Sequence, residues 1–239
     1  RNAAAMIAGS GAQAVKIEGT AVLAPHTRFM VERGIPVLAH VGLMPQYMNV
    51  MGGFKAQGFS DEVADRILQE GDIVSLDCGA VYNGYVGDSA LTVGVGSISP
   101  EAQRLLEVTE QALQVGIDKA RAGNEVSDIS RAVQAFVESY GYSVVREYTG
   151  HGVGRNMHEE PQVPNWWPAG RPRMRGWQSV KLVPGLTFAI EPMVNMGRPE
   201  TMMLDDHWTV VTRDGSLCAH FEHTVAITPE GPPLILTAL

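Results

Sequence analysis

Six residues of this 239-residue chain could do chemistry together: Asp77, Asp88, His151, His158, Glu191 and Glu222. The aspartates lie eleven positions apart in "SLDCGAVYNGYVGDSA", each in a run that otherwise reads as buried strand. Glu191 stands in "FAIEPMV" and Glu222 in "HFEHTVAI", while the histidines belong to "GHGVGRNMHEEP". An ionised carboxylate in an apolar strand is costly unless it is paired or binds a cation. Asp77, Asp88, Glu191 and Glu222 in one core would repel each other unless divalent ions neutralised them. Four carboxylates and one imidazole suit two divalent ions with shared ligands, and the oxygen-rich set fits manganese, iron, cobalt or zinc. Two such ions a few ångströms apart support hydrolase chemistry.

Each residue also has a plainer reading. A lone aspartate at a strand end is usually a cap or turn residue, and a histidine after glycine is usually a hydrogen-bonded loop residue. "FEHT" reads equally as a solvated edge, and Glu159 and Glu160 read as exposed. Trp166 and Trp167, in a Pro/Gly loop, read as a lid or packing feature. Taken jointly these readings weaken, because Asp77, Glu191 and Glu222 each interrupt an apolar strand, and a metal site is the better account.

The elements that must position these residues follow from the local pattern. Residues 72–79 and 84–95 read as two strands joined by the hairpin signal "YNGY". Ser99 and Pro100 read as the N-cap and first residue of a helix with Leu105, Val108, Ala112 and Val115 on one stripe. A second helix carries Ile129, Ala132, Val133, Phe136, Val137 and Tyr140 at helical spacing. After Gly141 only strands are expected, in "YSVVREYTG", "LTFAIEPMVN", "WTVVT" and "LCAHFEHTVAIT", with a Pro-, Arg- and Trp-rich loop over 161–181.

The first seventy residues have a different, β/α rhythm. "RNAAAMIAG" and "APHTRFMVERG" read as helices, "AVKIEG" and "IPVLAHVGL" as strands of the parallel-sheet kind, and Ser60 as the N-cap of "DEVADRILQE". The chain opens on Arg1 inside a helix-like segment, as a fragment would.

Composition narrows the function. Hydrophobic residues are 45% and charged residues 18%, ordinary for a folded globular protein. A net charge of −8 argues against nucleic-acid or anionic-membrane partners. Two cysteines, Cys78 and Cys218, give no disulfide framework, and no run reads as a signal peptide or membrane span. The expectation is a cytoplasmic, monomeric protein.

The stretches "LQEGDIVSLDCGAVYNGYVGDSA", "GYSVVREYTGHGVGRNMHEEPQVPN", "PGLTFAIEPMVNMG" and "DDHWTVVTRDGSLCAHFEHTVAITPEGP" closely resemble the type I methionine aminopeptidases over about residues 68–239. The resemblance implies an α+β pita-bread fold, with two similar halves around a curved antiparallel sheet holding two divalent metal ions. It implies that Asp77 chelates one ion, that Asp88 and Glu222 bridge both, and that His151 and Glu191 complete the other. His158 would contact the substrate carbonyl, Glu191 would accept a proton, and Trp208 would line the methionine pocket. The substrate would be the N-terminus of a nascent protein or peptide. Cys78 stands where valine is usual, His207 where glycine is usual, and loop 162–181 is longer and more basic than usual. The "GHGVGRNMHEEP" stretch favours methionine removal over prolidase-like or creatinase-like chemistry.

That family's own N-terminal section should precede residue 68 and supply a histidine in a "CHG"-type stretch, yet no histidine lies between His40 and His151. In its place, "AQAVKIEGT", "RGIPVLAHVGLMPQYMNVMGGFKAQG" and "DEVADRI" resemble a central section of ketopantoate hydroxymethyltransferase, a (β/α)8-barrel enzyme, over about residues 1–67. That resemblance matches Lys16 and His40 to ketopantoate-binding residues and Glu18 to a magnesium-site residue. The sequence therefore reads as chimera-like, with a junction near Leu68 and the N-terminal half of the pita-bread fold incomplete. Methionine removal leads the functional expectations. A catalytically impaired metal-binding chimera is the alternative, and hydroxymethyl transfer ranks behind both, since most of that enzyme's site is absent.

Overall fold

The computed structural model describes residues 70–168, 179–205 and 209–238, together with the backbone of two short strands at 15–18 and 37–40. The expected helices before residue 70 and the Ser60 cap lie outside the described residues. The two short strands, β1 (Val15–Glu18) and β2 (Val37–His40), pair in parallel, with Lys16 opposite Leu38 and Glu18 opposite His40.

The hairpin forms as its sequence dictates. Strands β3 (Ile73–Tyr82) and β4 (Tyr85–Gly94) pair without a break in antiparallel register. The turn is Asn83–Gly84, both at positive φ (48° and 79°), which asparagine and glycine tolerate best.

Helix α1 (Pro100–Lys119) starts where Ser99 Oγ accepts a hydrogen bond from the Ala102 N–H at 3.1 Å, with proline in the first turn. Its buried face includes Leu105, Val108, Ala112, Leu113 and Ile117. Val115, expected on that stripe, is only half-buried, because the stripe drifts round to Leu113 and Ile117. Helix α2 (Val126–Ser139) buries Ile129, Val133 and Val137 as expected. Its first turn is capped from outside: Val126 N–H donates to the Val180 carbonyl and Ser127 N–H to Ser179 Oγ. Tyr140, expected to face inward, is 38% exposed at the helix end, between the Phe136 ring and the Arg104 guanidinium.

The strands after Gly141 are shorter and more broken than the sequence implies. They are β5 (Ser143–Val144), β6 (Thr149–Gly152), β7 (Glu159–Pro164), β8 (Thr187–Ile190), β9 (Met193–Asn195), β10 (Thr201–Met203), β11 (Val210–Thr212), β12 (Cys218–His220), β13 (His223–Ala226) and β14 (Leu234–Ile235). One sheet runs β14-β13-β8-β6-β7 and a second runs β12-β9-β5. The first four residues of the expected loop, Pro161–Pro164, belong to β7, paired with β6. Two prolines hid that strand; they are tolerated because β7 is the sheet edge, where missing donors break no second ladder. Past β7, Trp167 is buried and donates its N–H to Gln134 Oε1 at 3.0 Å, a packing role rather than a lid.

The two sheets form one bent surface. β8 and β13 pair in the first, β9 and β12 in the second, so the same two chain segments cross from one sheet to the other. At the crossing stand Glu191–Pro192 on one segment and Phe221–Glu222 on the other. Pro192 has no N–H to give the ladder, and its carbonyl accepts from Phe221 N–H at 3.3 Å. The helices cover one face of this surface. Leu105, Leu113, Ile129, Val133 and Val137 pack with Phe188, Ile190, Val194, Ala219 and Val225, all 2% exposed or less. Each such large side chain contributes roughly 1.5–3 kcal/mol by leaving water.

Candidate metal centre

The hairpin register fixes the two aspartates. Asp77 lies opposite Ala90 and Asp88 opposite Gly79, so the two are diagonal neighbours on one face of the ladder. Strand β4 is held on the bent surface at the crossing. Asp88 N–H donates to Thr224 Oγ1 at 2.9 Å, and Thr224 Oγ1 donates back to the Asp88 carbonyl at 2.8 Å. Glu222 N–H donates to the Ala90 carbonyl at 2.8 Å. Thr92 Oγ1 donates to the His220 carbonyl and accepts from His220 N–H, both at 2.8 Å. Threonine hydroxyls thus complete a ladder that backbone groups alone leave open, and Asp88 and Glu222 face each other across it.

Glu191 and Glu222 do not interrupt continuous strands, as the sequence implied; each sits at the crossing where its segment changes sheet. That break turns their side chains inward. Asn165, buried at the end of β7, donates from Nδ2 to the Glu191 carbonyl at 3.0 Å and pins its backbone.

His151 lies in β6 between two glycines that the packing requires. A Cβ at position 150 would stand 2.5 Å from the Ala189 carbonyl oxygen, and one at 152 would overlap the Glu160 carbonyl. His151 Nδ1 is 3.0 Å from the Gly152 carbonyl, which can only accept, so Nδ1 carries the proton and Nε2 presents its lone pair. That Nε2 is 3.5 Å from Glu191 Oε1 and 3.8 Å from Asp88 Oδ2.

Asp88, His151 and Glu222 offer ligand atoms that all lie within 4.8 Å of one another. The separations from His151 Nε2, 3.5 and 3.8 Å, are long for hydrogen bonds. They match atoms gathered round one centre, since metal–ligand bonds of about 2.0–2.2 Å put neighbouring ligands roughly 3–4 Å apart. Asp77 is half-buried on the same face, and its charge acts on both glutamates.

The electrostatics favour positive charge at this cluster. Burial, then the charges of Asp88 and Asp77, push the Glu191 carboxyl up to about 8. Burial, then Asp88, Glu191 and Asp77, push Glu222 up to about 10. Glu222 Oε1 is buried with no hydrogen-bond partner among the described residues. Carboxylates so arranged cannot all ionise without cations, so the residues present fit a divalent-metal site.

His158 is exposed beside this cluster, its ring 4.2 Å from that of His151. Trp208 lies outside the described residues. Lys16, Glu18 and His40 are described only as backbone positions on β1 and β2. His220 was not among the residues the sequence singled out. Its side chain is only 16% exposed and its Nε2 stands 3.9 Å from Glu191 Oε2. Burial pushes its pKa down to about 4. Its signal was the two-residue spacing to Glu222 in "CAHFEHT".

The sequence pattern of metallopeptidase family M24 matches residues 37–229. The chain belongs to that family. It is 51% identical over 170 residues to a methionine aminopeptidase of Clostridium acetobutylicum, covering 71% of this chain and 65% of that protein. It is 52% identical over 167 residues to methionine aminopeptidase 1 of Bacillus subtilis, covering 70% and 64%. The crystal structure of methionine aminopeptidase from Thermotoga maritima superposes with a TM-score of 0.66 at 45% identity, covering 76% of this chain and 69% of that one. The M24 chain described here thus spans about two-thirds of the length of these curated relatives, 65% and 64%. Its α+β fold is of the pita-bread type found in the M24 aminopeptidases.

Proposed function

We propose that this chain is a metal-dependent aminopeptidase that removes N-terminal methionine from nascent proteins and peptides. The observation that carries the reading is the convergence of Asp88, His151 and Glu222, with Glu191 3.5 Å from His151. Asp77, Asp88, His151, Glu191 and Glu222 would hold two divalent ions of the cobalt, manganese, iron or zinc kind. Bound ions would neutralise the clustered carboxylates and polarise a substrate carbonyl. Glu191 would take up the proton that the attacking water loses. His158, exposed next to His151, would contact the substrate carbonyl, and Trp208 would line the methionine pocket. The M24 membership and the relatives named methionine aminopeptidases support this reading.

We further infer that the chain has two parts, 1–67 and 68–239, and that the first is a β/α segment resembling ketopantoate hydroxymethyltransferase. The parallel pairing of β1 with β2 supports that, since a parallel pair requires a crossover connection. The M24 match reaches back to residue 37, so the boundary near 68 needs its own test. Limited proteolysis that releases a stable 68–239 core supports it, and cleavage spread evenly along the chain counts against it.

The functional test is hydrolysis of Met-Gly-Met with manganese or cobalt titrated into the metal-free protein. Turnover that tracks metal occupancy and disappears in Glu222→Gln is expected. A folded protein that binds ions at saturation yet shows no turnover overturns the aminopeptidase reading in favour of an impaired metal-binding chimera. Magnesium-dependent ketopantoate formation would instead favour the third reading.

A further inference from the structure

The Glu191 carboxylate lies between two imidazoles. Oε1 faces His151 Nε2 at 3.5 Å, and Oε2 faces His220 Nε2 at 3.9 Å. His151 belongs to the gathered ligand set, but His220 does not. His220 Nε2 is shielded from solvent and has no hydrogen-bond partner among the described residues. Such an atom is costly to leave unsatisfied, so an orphan aimed at a carboxylate oxygen calls for an explanation.

The backbone around His220 is fixed tightly. Its N–H and carbonyl are both held by Thr92 Oγ1 at 2.8 Å, and the residue pairs with Met193, two positions from Glu191. The imidazole therefore stands on a rigid strand while Glu191 stands at the crossing. The side chain of Glu191, with three rotatable bonds, is the part that can move. Closing 3.9 Å to a charge-assisted hydrogen bond needs a shift of roughly 1 Å.

We propose that His220 is a positioning residue for Glu191, donating a hydrogen bond from Nε2 to Oε2 and so aiming Oε1 at the ion shared with His151. The proposal rests on the metal-site reading above and adds an outer partner to it. A carboxylate held from behind loses less freedom on coordination, which is how outer partners raise metal affinity.

The test uses the zinc-loaded protein, which is diamagnetic. The imidazole 15N shifts of His220 should report a proton on Nε2 and an unprotonated, uncoordinated Nδ1. His220→Leu should weaken zinc affinity by about ten- to a hundredfold, while His220→Gln, whose amide also donates, recovers part of it. The cobalt-loaded forms should keep the same coordination number across these variants, read from visible absorption. Zinc bound with the His220 proton on Nδ1, or His220 nitrogen coordinated to the ion, overturns the proposal while leaving the metal site intact. Unchanged affinity in a folded His220→Leu does the same. Failure of the unsubstituted protein to bind zinc overturns the metal-site reading itself, and the role of His220 with it.

Discussion

Loading the metal-free protein with manganese should expel protons, and the number is set by the two raised glutamates. At pH 6.5 both Glu191, held at about 8, and Glu222, held at about 10, carry a proton in the folded chain. Coordination requires both carboxylates ionised, so binding should release about two protons between pH 5.5 and 7. As pH rises through about 8 the release should fall towards one, because Glu191 has already lost its proton. Calorimetric titration in buffers of different ionisation enthalpy reads this count directly, as the slope of observed enthalpy against buffer enthalpy. The same protons act on stability. The unfolded chain gives them up near 4.5, the ordinary glutamate value, whereas the folded metal-free chain keeps them. The stability these two protons contribute to the metal-free protein is therefore fully present below about 4.5, and is lost as pH rises through about 8 for Glu191 and about 10 for Glu222. Each retained proton is worth about 1.4 kcal/mol per pH unit, so two of them set a ceiling of about 5 kcal/mol between pH 5 and 7. Urea denaturation at those two pH values, with and without manganese, checks the sign, and bound manganese should flatten the dependence. Zero proton release at pH 6.5 with manganese bound would mean instead that the carboxylates are ionised without a cation.

Other predictions follow from single contacts. Phe188, 0% exposed at the centre of the core, should lose about 3–5 kcal/mol of stability as Phe188→Ala, measured by denaturant unfolding. Thr224→Val keeps the shape of the side chain but removes both hydrogen bonds to the Asp88 backbone; it should cost about 1–3 kcal/mol and weaken manganese affinity in the same calorimetric titration. Ser99→Ala removes the bond to Ala102 N–H and should cost about 1 kcal/mol with metal affinity unchanged.

The parts of the fold that the sequence exposed are those with a local cause. Asn83–Gly84 set the turn, and the turn set the register that makes Asp77 and Asp88 diagonal neighbours. Ser99 and Pro100 marked the start of α1. The strands after Gly141 were harder because their boundaries have tertiary causes. Pro161 and Pro164 argue against a strand, and only the edge position of β7 makes them acceptable. Glu191 and Glu222 looked like polar residues within strands, but the double crossing that turns them inward exists only when two distant segments pair. The cluster of carboxylates was legible from their cost in apolar surroundings. His220 was not, because its significance comes from facing an oxygen on another strand.

The threonine stitching of β4 has a kinetic consequence. The Asp88–Thr224 bonds join residues 136 positions apart, and closing a loop of that length costs about 4 kcal/mol of chain entropy before any contact rewards it. The hairpin can form within microseconds on its own, but its aspartates meet their glutamate only after the intervening chain has condensed. Ligand capture should therefore belong to the last, slow phase of folding. Conversely, chelator-driven escape of the ion should be slow, and should quicken in proportion to global unfolding as denaturant rises.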